Sequence, residues 1–375
     1  MSMCPAIALR YIGLTVRVES MNQQDLAWLE EFLVPPFELV DGVAGDCAVS
    51  CEIDAERHAA LLGEGMERDG TTLACFALEQ RLVHLPVWTS LGAGRLVYDE
   101  ELNMFYSRTA GAPHVQLLTP PGNPAARIGL MRAVREFAIN HAWRSAGLVV
   151  HAAAFAMGDD GFVLAGPKGA GKTSLLTHIL RHGEARFLSG DRVQLALADG
   201  SPIVRGLPTL VSVRAETLAM FPELRDRLAA RAYQHELRLD EAPRISAAGA
   251  RRASGGRSLS PAQFCDLLGV TRTVQARLAA VLFPRVTRAH GGIGLEPLSA
   301  DQGAARLLHT LFPRTVSAQA PGLFDLDIDH RGSEGSLGQL CRALASQVPC
   351  FECRLGLDAY KDPAGIDSLL EPLRG

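Results

Sequence analysis

The chain has 375 residues, 47% of them hydrophobic and 21% charged, so it can bury more than one core and is predicted to form two domains. A formal charge of -4 gives no electrostatic reason to expect a nucleic-acid partner, and no apolar stretch is long enough to predict a membrane span. The first ten residues lack the basic and apolar segments of a secretion signal, so we expect a cytoplasmic protein.

Residues 1–122 are predicted to form a small α+β domain. Alternating or continuous apolar residues indicate extended structure over 7–18, and apolar residues at helical spacing predict a helix over Gln23–Leu33. Two short segments, 95–99 and 103–107, have the pattern of a β-hairpin. We expect this domain to bind a substrate or a partner.

The second domain is predicted to span residues 123–375. It follows Pro120-Pro121-Gly122-Asn123-Pro124, the best candidate linker in the chain, because clustered Pro and Gly interrupt regular structure. The pattern then predicts a helix over Ala125–Arg144 and two strands, over Leu148–Phe155 and Gly161–Ala165.

The most informative motif follows the second of these strands and has the form G-x-x-x-x-G-K-T. Its residues are Gly166, Pro167, Lys168, Gly169, Ala170, Gly171, Lys172 and Thr173. The chain contains three lysines, and two of them lie in this motif. After it, Ser174 to His182 has the apolar spacing of a helix, which Gly183 is predicted to end.

This strand, loop and helix predict a nucleoside triphosphate site lined by the motif and by Ser174. Glycines let backbone N–H groups close on phosphate oxygens, and the helix N-terminus adds a partial positive charge. Lys172 is expected to contact the β- and γ-phosphates of ATP, and the Thr173 hydroxyl is expected to help hold Mg2+. The sequence does not distinguish ATP from GTP.

Further features accompany the loop. They are a histidine on the strand two before it, an Asp-Arg-Val sequence after the loop helix, and, later in the chain, an Arg-Gly pair and a Pro-Arg pair. They are His151, fifteen residues before Gly166, Asp191-Arg192-Val193, Arg205-Gly206 and Pro284-Arg285. With these features, residues 125–290 resemble the HPr serine kinase family, whose catalytic domain shares its nucleotide site with phosphoenolpyruvate carboxykinases. The N-terminal part is more similar to the divergent HPr-kinase-related proteins that are often found with peptide-modification genes.

The resemblance implies an α/β P-loop kinase domain of the HPr kinase and phosphoenolpyruvate carboxykinase type, preceded by a small α+β domain. It implies transfer of the ATP γ-phosphoryl group, with Mg2+, to a Ser or Thr hydroxyl of a protein or peptide, for example a biosynthetic precursor peptide. A homo-oligomer is compatible with this expectation.

The resemblance also assigns roles to residues. Asp191 matches the catalytic aspartate, which accepts the hydroxyl proton and binds metal, and His151 matches the histidine that tunes or orients it. With Lys172 these residues form the expected catalytic set. Arg192 and Arg285 are expected to contact phosphate or substrate.

Two positions depart from the family pattern. Gly190 stands where the family has the first of two aspartates, and Ile203 stands where it has a glutamate that contacts Mg2+. Both changes remove a negative charge from the metal end of the site. The alternative function is therefore a nucleotide-binding accessory module that is non-catalytic or weakly hydrolytic. Four residues favour the kinase: Lys172, Thr173, Asp191 and His151.

Eight cysteines are scattered along the chain and do not describe a disulfide framework. Cys350 and Cys353 have the spacing of half a zinc site or of a redox pair. The residues around them have the pattern of a late strand, so reduced core cysteines are the favoured interpretation.

Overall fold

The structure is a computed structural model. It describes residues 4–42, 44–63, 68–76, 82–90, 94–108, 113–145, 147–182, 184–230, 257–287, 291–312, 334–356, 358–360 and 364–373. The protein is a mixed α/β protein with two compact units, and the chain passes from the first to the second between His141 and Ala142. Among the described residues, no helix has the length and apolar character needed to cross a bilayer.

The first unit is built on a nine-stranded mixed sheet. Its strands are β1 (Ala6–Tyr11), β2 (Leu14–Ser20), β3 (Glu38–Leu39), β4 (Cys47–Ile53), β5 (Arg68–Phe76), β6 (Leu82–Ser90), β7 (Gly94–Asp99), β8 (Met104–Arg108) and β9 (His114–Thr119). Its helices are α1 (Gln23–Leu33), α2 (Ala55–Gly63) and α3 (Ala126–Arg144), the last of which runs three residues beyond His141. The strand order is β3-β1-β2-β4-β9-β8-β7-β6-β5; the β2–β4 and β4–β9 pairs are parallel, and the other described pairs are antiparallel.

Several predicted elements of this unit are confirmed. Helix α1 has the predicted bounds, and the Asn22 side chain caps it by accepting a hydrogen bond from the Gln24 N–H. The predicted hairpin is β7 and β8. The extended stretch 7–18 is two strands rather than one, because Gly13, with a φ of 81°, turns the chain between β1 and β2. The predicted domain boundary after residue 122 stays a prediction.

The second unit is built on an eight-stranded mixed sheet. The strands of this sheet are β10 (Leu148–Met157), β11 (Asp160–Ala165), β12 (Arg186–Ser189), β13 (Arg192–Ala198), β14 (Ser201–Gly206), β17 (Gln275–Val286), β18 (Ile293–Leu298) and β19 (Cys350–Leu355). A separate two-stranded sheet consists of β15 (Val211–Val213) and β16 (Arg257–Leu259). The helices are α4 (Lys172–His182), α5 (Ala215–Met220), α6 (Pro222–Ala230), α7 (Pro261–Leu268), α8 (Ala300–Thr310), α9 (Glu334–Gln347) and α10 (Ala364–Leu370), followed by a 3-10 turn over Glu371–Leu373.

Strand pairing brings the carboxyl ends of three strands to one edge of this sheet. Strands β11, β17 and β19 are parallel neighbours, so their carboxyl ends share an edge. Strand β10 runs antiparallel to β11 and therefore begins at that same edge. Its other side pairs with both β12 and β13. The carboxyl edge of parallel strands is where ligands bind in open α/β sheets.

Helix α4 packs its apolar side on one face of this sheet, as its sequence pattern predicts. Leu175, Leu176 and Ile179 are fully buried in a core that includes Phe155 and Phe162, whose rings stack at a centroid distance of 5.1 Å. The glycine predicted to end this helix, Gly183, lies outside the described residues. The buried side of α4 anchors the helix, so its N-terminus is held at the carboxyl edge of β11.

The Arg205-Gly206 pair lies at the end of β14, where backbone approaches backbone. A Cβ atom added to Gly206 would lie 2.3 Å from the Leu188 carbonyl oxygen. The backbone N–H of Gly206 donates to the carbonyl of Val274, which ties β14 down beside this contact. Any side chain at position 206 must therefore push β14 away from β12, the strand that leads to Asp191.

We expect Gly206→Ala to lower the free energy of unfolding by more than 2 kcal/mol, roughly the cost of a backbone displacement in a packed interior. The matched control is Gly338→Ala in helix α9, where an added Cβ meets no atom within 4 Å. That change should be neutral or stabilise by about 0.5–1 kcal/mol. Urea unfolding of both variants checks this, and equal stabilities would contradict the steric account.

Candidate functional site

The predicted phosphate loop joins β11 to α4 through two backbone conformations that L-amino acids rarely adopt. Gly169 has a φ of 90° and Gly171 a φ of 97°. Between them the Ala170 N–H donates to the Pro167 carbonyl at 3.2 Å, which closes a tight turn. The chain then enters α4 directly at Lys172. The glycine spacing of the motif thus matches the backbone that it adopts.

The loop packs closely against the carboxyl ends of β17 and β19. A Cβ atom on Gly171 would lie 2.9 Å from Leu355 Cδ1 and 3.3 Å from Val286 Cγ2. The Tyr360 hydroxyl is the next nearest atom, at 3.5 Å from that position. Close packing on this side leaves the exposed residues Pro167 and Lys168 on the other.

Lys172 is buried at the base of the loop, with 7% of its surface exposed. Its ammonium donates to the carbonyl oxygens of Gly166 at 2.7 Å and Pro167 at 3.1 Å. Burial lowers the pKa of Lys172 to about 8, Asp191 opposes that shift, and Arg214 adds to it. A cation held mainly by neutral carbonyls is an environment that favours an approaching anion.

Asp191 lies in an irregularity between two strand segments, rather than at a simple strand end. Ser189 of β12 is paired with Ala154, whereas Arg192 of β13 is paired with His151 on the same strand β10. Asp191 remains attached there, because its carbonyl accepts a hydrogen bond from the Ala152 N–H at 2.9 Å. The irregularity places the Asp191 carboxylate beside His151.

Among the described residues, His151 and Arg192 lie beside the Asp191 carboxylate. His151 Nε2 lies 3.3 Å from Oδ1, and Arg192 Nε lies 3.6 Å from Oδ2. Burial alone would raise the pKa of Asp191, but the His151 hydrogen bond and the charges of Arg192 and Lys172 lower it below its ordinary value. Asp191 is therefore ionised at neutral pH, the form that accepts a proton or binds a cation.

The two arginines predicted to contact phosphate lie in different surroundings. Arg192 is 1% exposed, and its guanidinium stacks over the Phe312 ring at 3.8 Å. Arg285 has a side chain that is 73% exposed and lies 3.8 Å from the Glu352 carboxylate. Because Val286 contacts Gly171 and alternate residues of a strand point to opposite faces, Arg285 points away from the loop helix. The structure brings Arg192, but not Arg285, to Asp191.

At Gly190, where the resemblance leads one to expect an aspartate, the space of a side chain is filled by Val211. A Cβ atom on Gly190 would lie 2.8 Å from Val211 Cγ2, and Val211 is 1% exposed. Ile203 is half-buried in β14, where it pairs with Ala196 of β13 and with Arg277 of β17. Both departures from the family pattern are therefore accommodated by the apolar packing and strand pairing of this fold.

Sequence reasoning missed Arg214. This residue immediately precedes α5, and its charge acts on Lys172 although the two residues are far apart in the chain. Nothing in its sequence context distinguishes it from the many other arginines, and only the folding of β15 and α5 against α4 reveals it.

The residues at this edge fit Mg2+ only in a limited way. Within the described ranges, no group of three or more His, Cys, Asp or Glu side chains is placed to hold a metal ion. Mg2+ in nucleotide sites commonly takes one or two protein ligands, with phosphates and water supplying the rest. Asp191 and the hydroxyl of Thr173, in the first turn of α4, match that requirement.

The two late cysteines do not form a site. Cys353 lies in the core under α4, whereas a Cβ on Gly303 of α8 would meet Cys350 Sγ at 2.6 Å. They therefore point to opposite faces of β19, and both are free thiols, as the favoured interpretation predicts. Burial raises the pKa of Cys350 to about 11 and that of Cys353 to about 12, so both remain protonated at neutral pH.

Comparison with known proteins adds no relative. No protein-family model matches the chain, and no curated protein matches its sequence.

The lowered pKa of Lys172 makes a prediction about stability. The folded chain releases this proton near pH 8 and the unfolded chain near pH 10.5, so between these values the unfolded chain binds more protons and stability rises with pH. Relative to Lys172→Met, which has no proton to lose, the wild type should gain about 2 kcal/mol between pH 7 and pH 10. Urea unfolding of both proteins across this range measures the difference, and parallel pH profiles would contradict the burial of a charged Lys172.

The packing of Gly190 makes a second prediction. Gly190→Asp should lower the melting temperature, because Val211 is β-branched and cannot rotate away from a new Cβ at low cost. Adding Val211→Ala opens the space, so the double variant should lose less than the sum of the two single variants. Thermal unfolding of the three variants tests this, and strict additivity would show that Val211 does not exclude the acid.

Proposed function

We propose that the protein is an ATP-dependent kinase, similar to the HPr serine kinase family, that phosphorylates a Ser or Thr hydroxyl of a protein or peptide in the cytoplasm. A biosynthetic precursor peptide is the acceptor that the resemblance suggests. One observation carries the proposal: the loop lysine, Lys172, interacts electrostatically with Asp191, which His151 contacts from the neighbouring strand.

Phosphate binding rests on the loop and on the start of α4. The N-terminus of α4 contributes a partial positive charge, and the Lys172 ammonium adds a full one beside it. In our proposal Lys172 exchanges the carbonyl oxygens of Gly166 and Pro167 for phosphate oxygens. Protonation is required for this role, and a phosphate nearby would raise the pKa of Lys172 again.

The transfer needs an acceptor for the hydroxyl proton, and Asp191 is the ionised group available. The acceptor oxygen forms a bond to the γ-phosphorus, the bond to ADP breaks, and the hydroxyl proton passes to Asp191. His151 orients the carboxylate through Oδ1, and Arg192 supports Oδ2 from the buried side. When bound, Mg2+ would neutralise phosphate charge, and Asp191 and Thr173 are the residues that would hold it.

The first unit is our candidate for recognition of the protein or peptide. It has its own nine-stranded sheet, so it can carry a binding site of its own. We propose neither a nucleic-acid nor a membrane partner, in keeping with the net charge of -4, and a homo-oligomer is compatible with the proposal.

A second candidate function is nucleotide binding without phosphoryl transfer, or with weak hydrolysis only. The contact between Gly190 and Val211 favours it, because that packing leaves a single carboxylate where the kinase family has two. A single carboxylate is still enough to accept the proton of the hydroxyl. The two candidate functions are therefore distinguished by whether phosphate is transferred to an acceptor.

The test is incubation of the full chain with γ-labelled ATP, Mg2+ and peptides encoded near its gene. We expect labelled peptide from the wild type, a loss of at least about 100-fold in Asp191→Asn because the proton acceptor is removed, and loss of nucleotide binding in Lys172→Ala. Mass spectrometry locates the phosphate on Ser or Thr.

Asp199→Asn is the matched control, since Asp199 is an exposed residue in the turn between β13 and β14 and Asn tolerates its φ of 50°. It should transfer phosphate at the wild-type rate. Full activity in Asp191→Asn would reject Asp191 as the proton acceptor. Nucleotide binding by the wild type with no labelled peptide would favour the accessory module.

A further inference from the structure

A short segment outside the loop is attached to the first turn of α4. Ser174 is the third residue of α4, and Thr217 is the third residue of α5. Their hydroxyl groups lie 3.1 Å apart, and both side chains are buried. This hydrogen bond joins the first turns of the two helices, so the residue that precedes α5 lies beside the phosphate loop.

The other end of the same segment is attached beside Asp191. Val211 of β15 packs on Gly190, the residue before Asp191, and β15 pairs with β16 on its free side. Along β15 the side chains alternate, with Val211 and Val213 buried and Ser212 exposed. The residue after Val213 continues that alternation and is exposed. The segment is therefore fixed at both ends, and the basic residue on its exposed side is Arg214.

Arg214 has no structural task that the described residues reveal. It occupies the N-cap position of α5 with extended backbone, and its side chain makes no capping hydrogen bond. None of the ion pairs between described residues involves it. Most exposed arginines need no partner, but this one is positioned by a rigid segment at a charged site.

The positive charges around the loop favour the binding of an anion. Lys172 is buried and repelled by Arg214, and the acid that acts on Lys172 is Asp191. Asp191 is already engaged by His151 and Arg192. Lys172 therefore meets the like charge of Arg214 and only a carboxylate that other cations also engage, and a phosphate group placed between Lys172 and Arg214 would neutralise both cations.

We propose that Arg214 binds the terminal phosphate of the nucleoside triphosphate, opposite Lys172, and so distinguishes a triphosphate from a diphosphate. This inference rests on the proposed nucleotide site and extends it by one residue. The planar guanidinium can donate two hydrogen bonds to one phosphate, whereas an ammonium acts as a point charge. A fixed arginine at this place also stabilises the charge that spreads over the phosphoryl oxygens during transfer.

The test compares two nucleotides by calorimetric titration of the full chain in Mg2+ buffer. The probes are ADP and the non-hydrolysable ATP analogue with an imido bridge between the β- and γ-phosphates. We expect Arg214→Ala to weaken binding of the triphosphate analogue by about tenfold or more, the loss of one or two charge-assisted hydrogen bonds, and to change ADP affinity by less than about twofold.

Two further substitutions at this position separate charge from geometry and stability. Arg214→Lys should recover part of the triphosphate affinity, because it keeps the positive charge. It should not recover all of it, because an ammonium lacks the paired N–H donors of the guanidinium. Arg214→Gln keeps a long polar side chain and should behave like Arg214→Ala. Because Arg214 is exposed, all three variants should melt at the wild-type temperature.

The matched control is Arg225→Ala on helix α6, where the arginine is 61% exposed and pairs with Asp226. It should bind both nucleotides like the wild type. If Arg214→Ala weakens both nucleotides equally, or neither, while the wild type binds the triphosphate, the role of Arg214 is rejected and the nucleotide site stands. If the wild type binds neither nucleotide, the proposed function fails together with Arg214.

Discussion

Strand β10 is the constraint on which the candidate site depends, because it is paired along both of its edges. On one side it is antiparallel to β11, which leads into the phosphate loop. On the other side it pairs first with β13 and then with β12, and the interruption between these partners contains Asp191. His151 lies on β10, between the phosphate loop on one side and Asp191 on the other. A single strand thus sets the distance between the loop that leads to Lys172 and the segment that contains Asp191.

The charges at this edge are arranged at some cost to the folded state. Burial lowers the pKa of Lys172 to about 8, so charging it is less favourable in the folded chain than in the unfolded chain, although it remains mostly protonated at neutral pH. Asp191 is held in its charged form by His151, Arg192 and Lys172 together. The cost lies with Lys172, and shifted pKa values of this kind are concentrated at functional sites, where a bound anion offsets the cost.

Two glycines near the candidate site are explained by packing, whatever the resemblance to the kinase family implies for them. The kinase resemblance leads one to expect an acid at position 190. In the fold, the lack of a side chain at Gly190 lets Val211 pack against its backbone. Gly206 has a similar explanation, because the Leu188 carbonyl occupies the space of its side chain. Val211 in turn begins the segment that brings Arg214 toward Lys172. The segment that packs on Gly190 therefore also carries the positive charge of Arg214.

Local pattern determined the strand β11, the loop glycines and the helix α1, because each depends on neighbours within a few residues. It placed the start of α4 at Ser174, two residues after the observed start at Lys172. Spacing and resemblance also singled out Asp191 and His151. The sequence could not tell that Arg192 is buried on Phe312 or that Arg285 points to the opposite face, because strand register and long-range pairing decide these orientations. Arg214 depends on the hydrogen bond between Ser174 and Thr217, 43 residues apart, and such contacts exist only once the tertiary structure has formed.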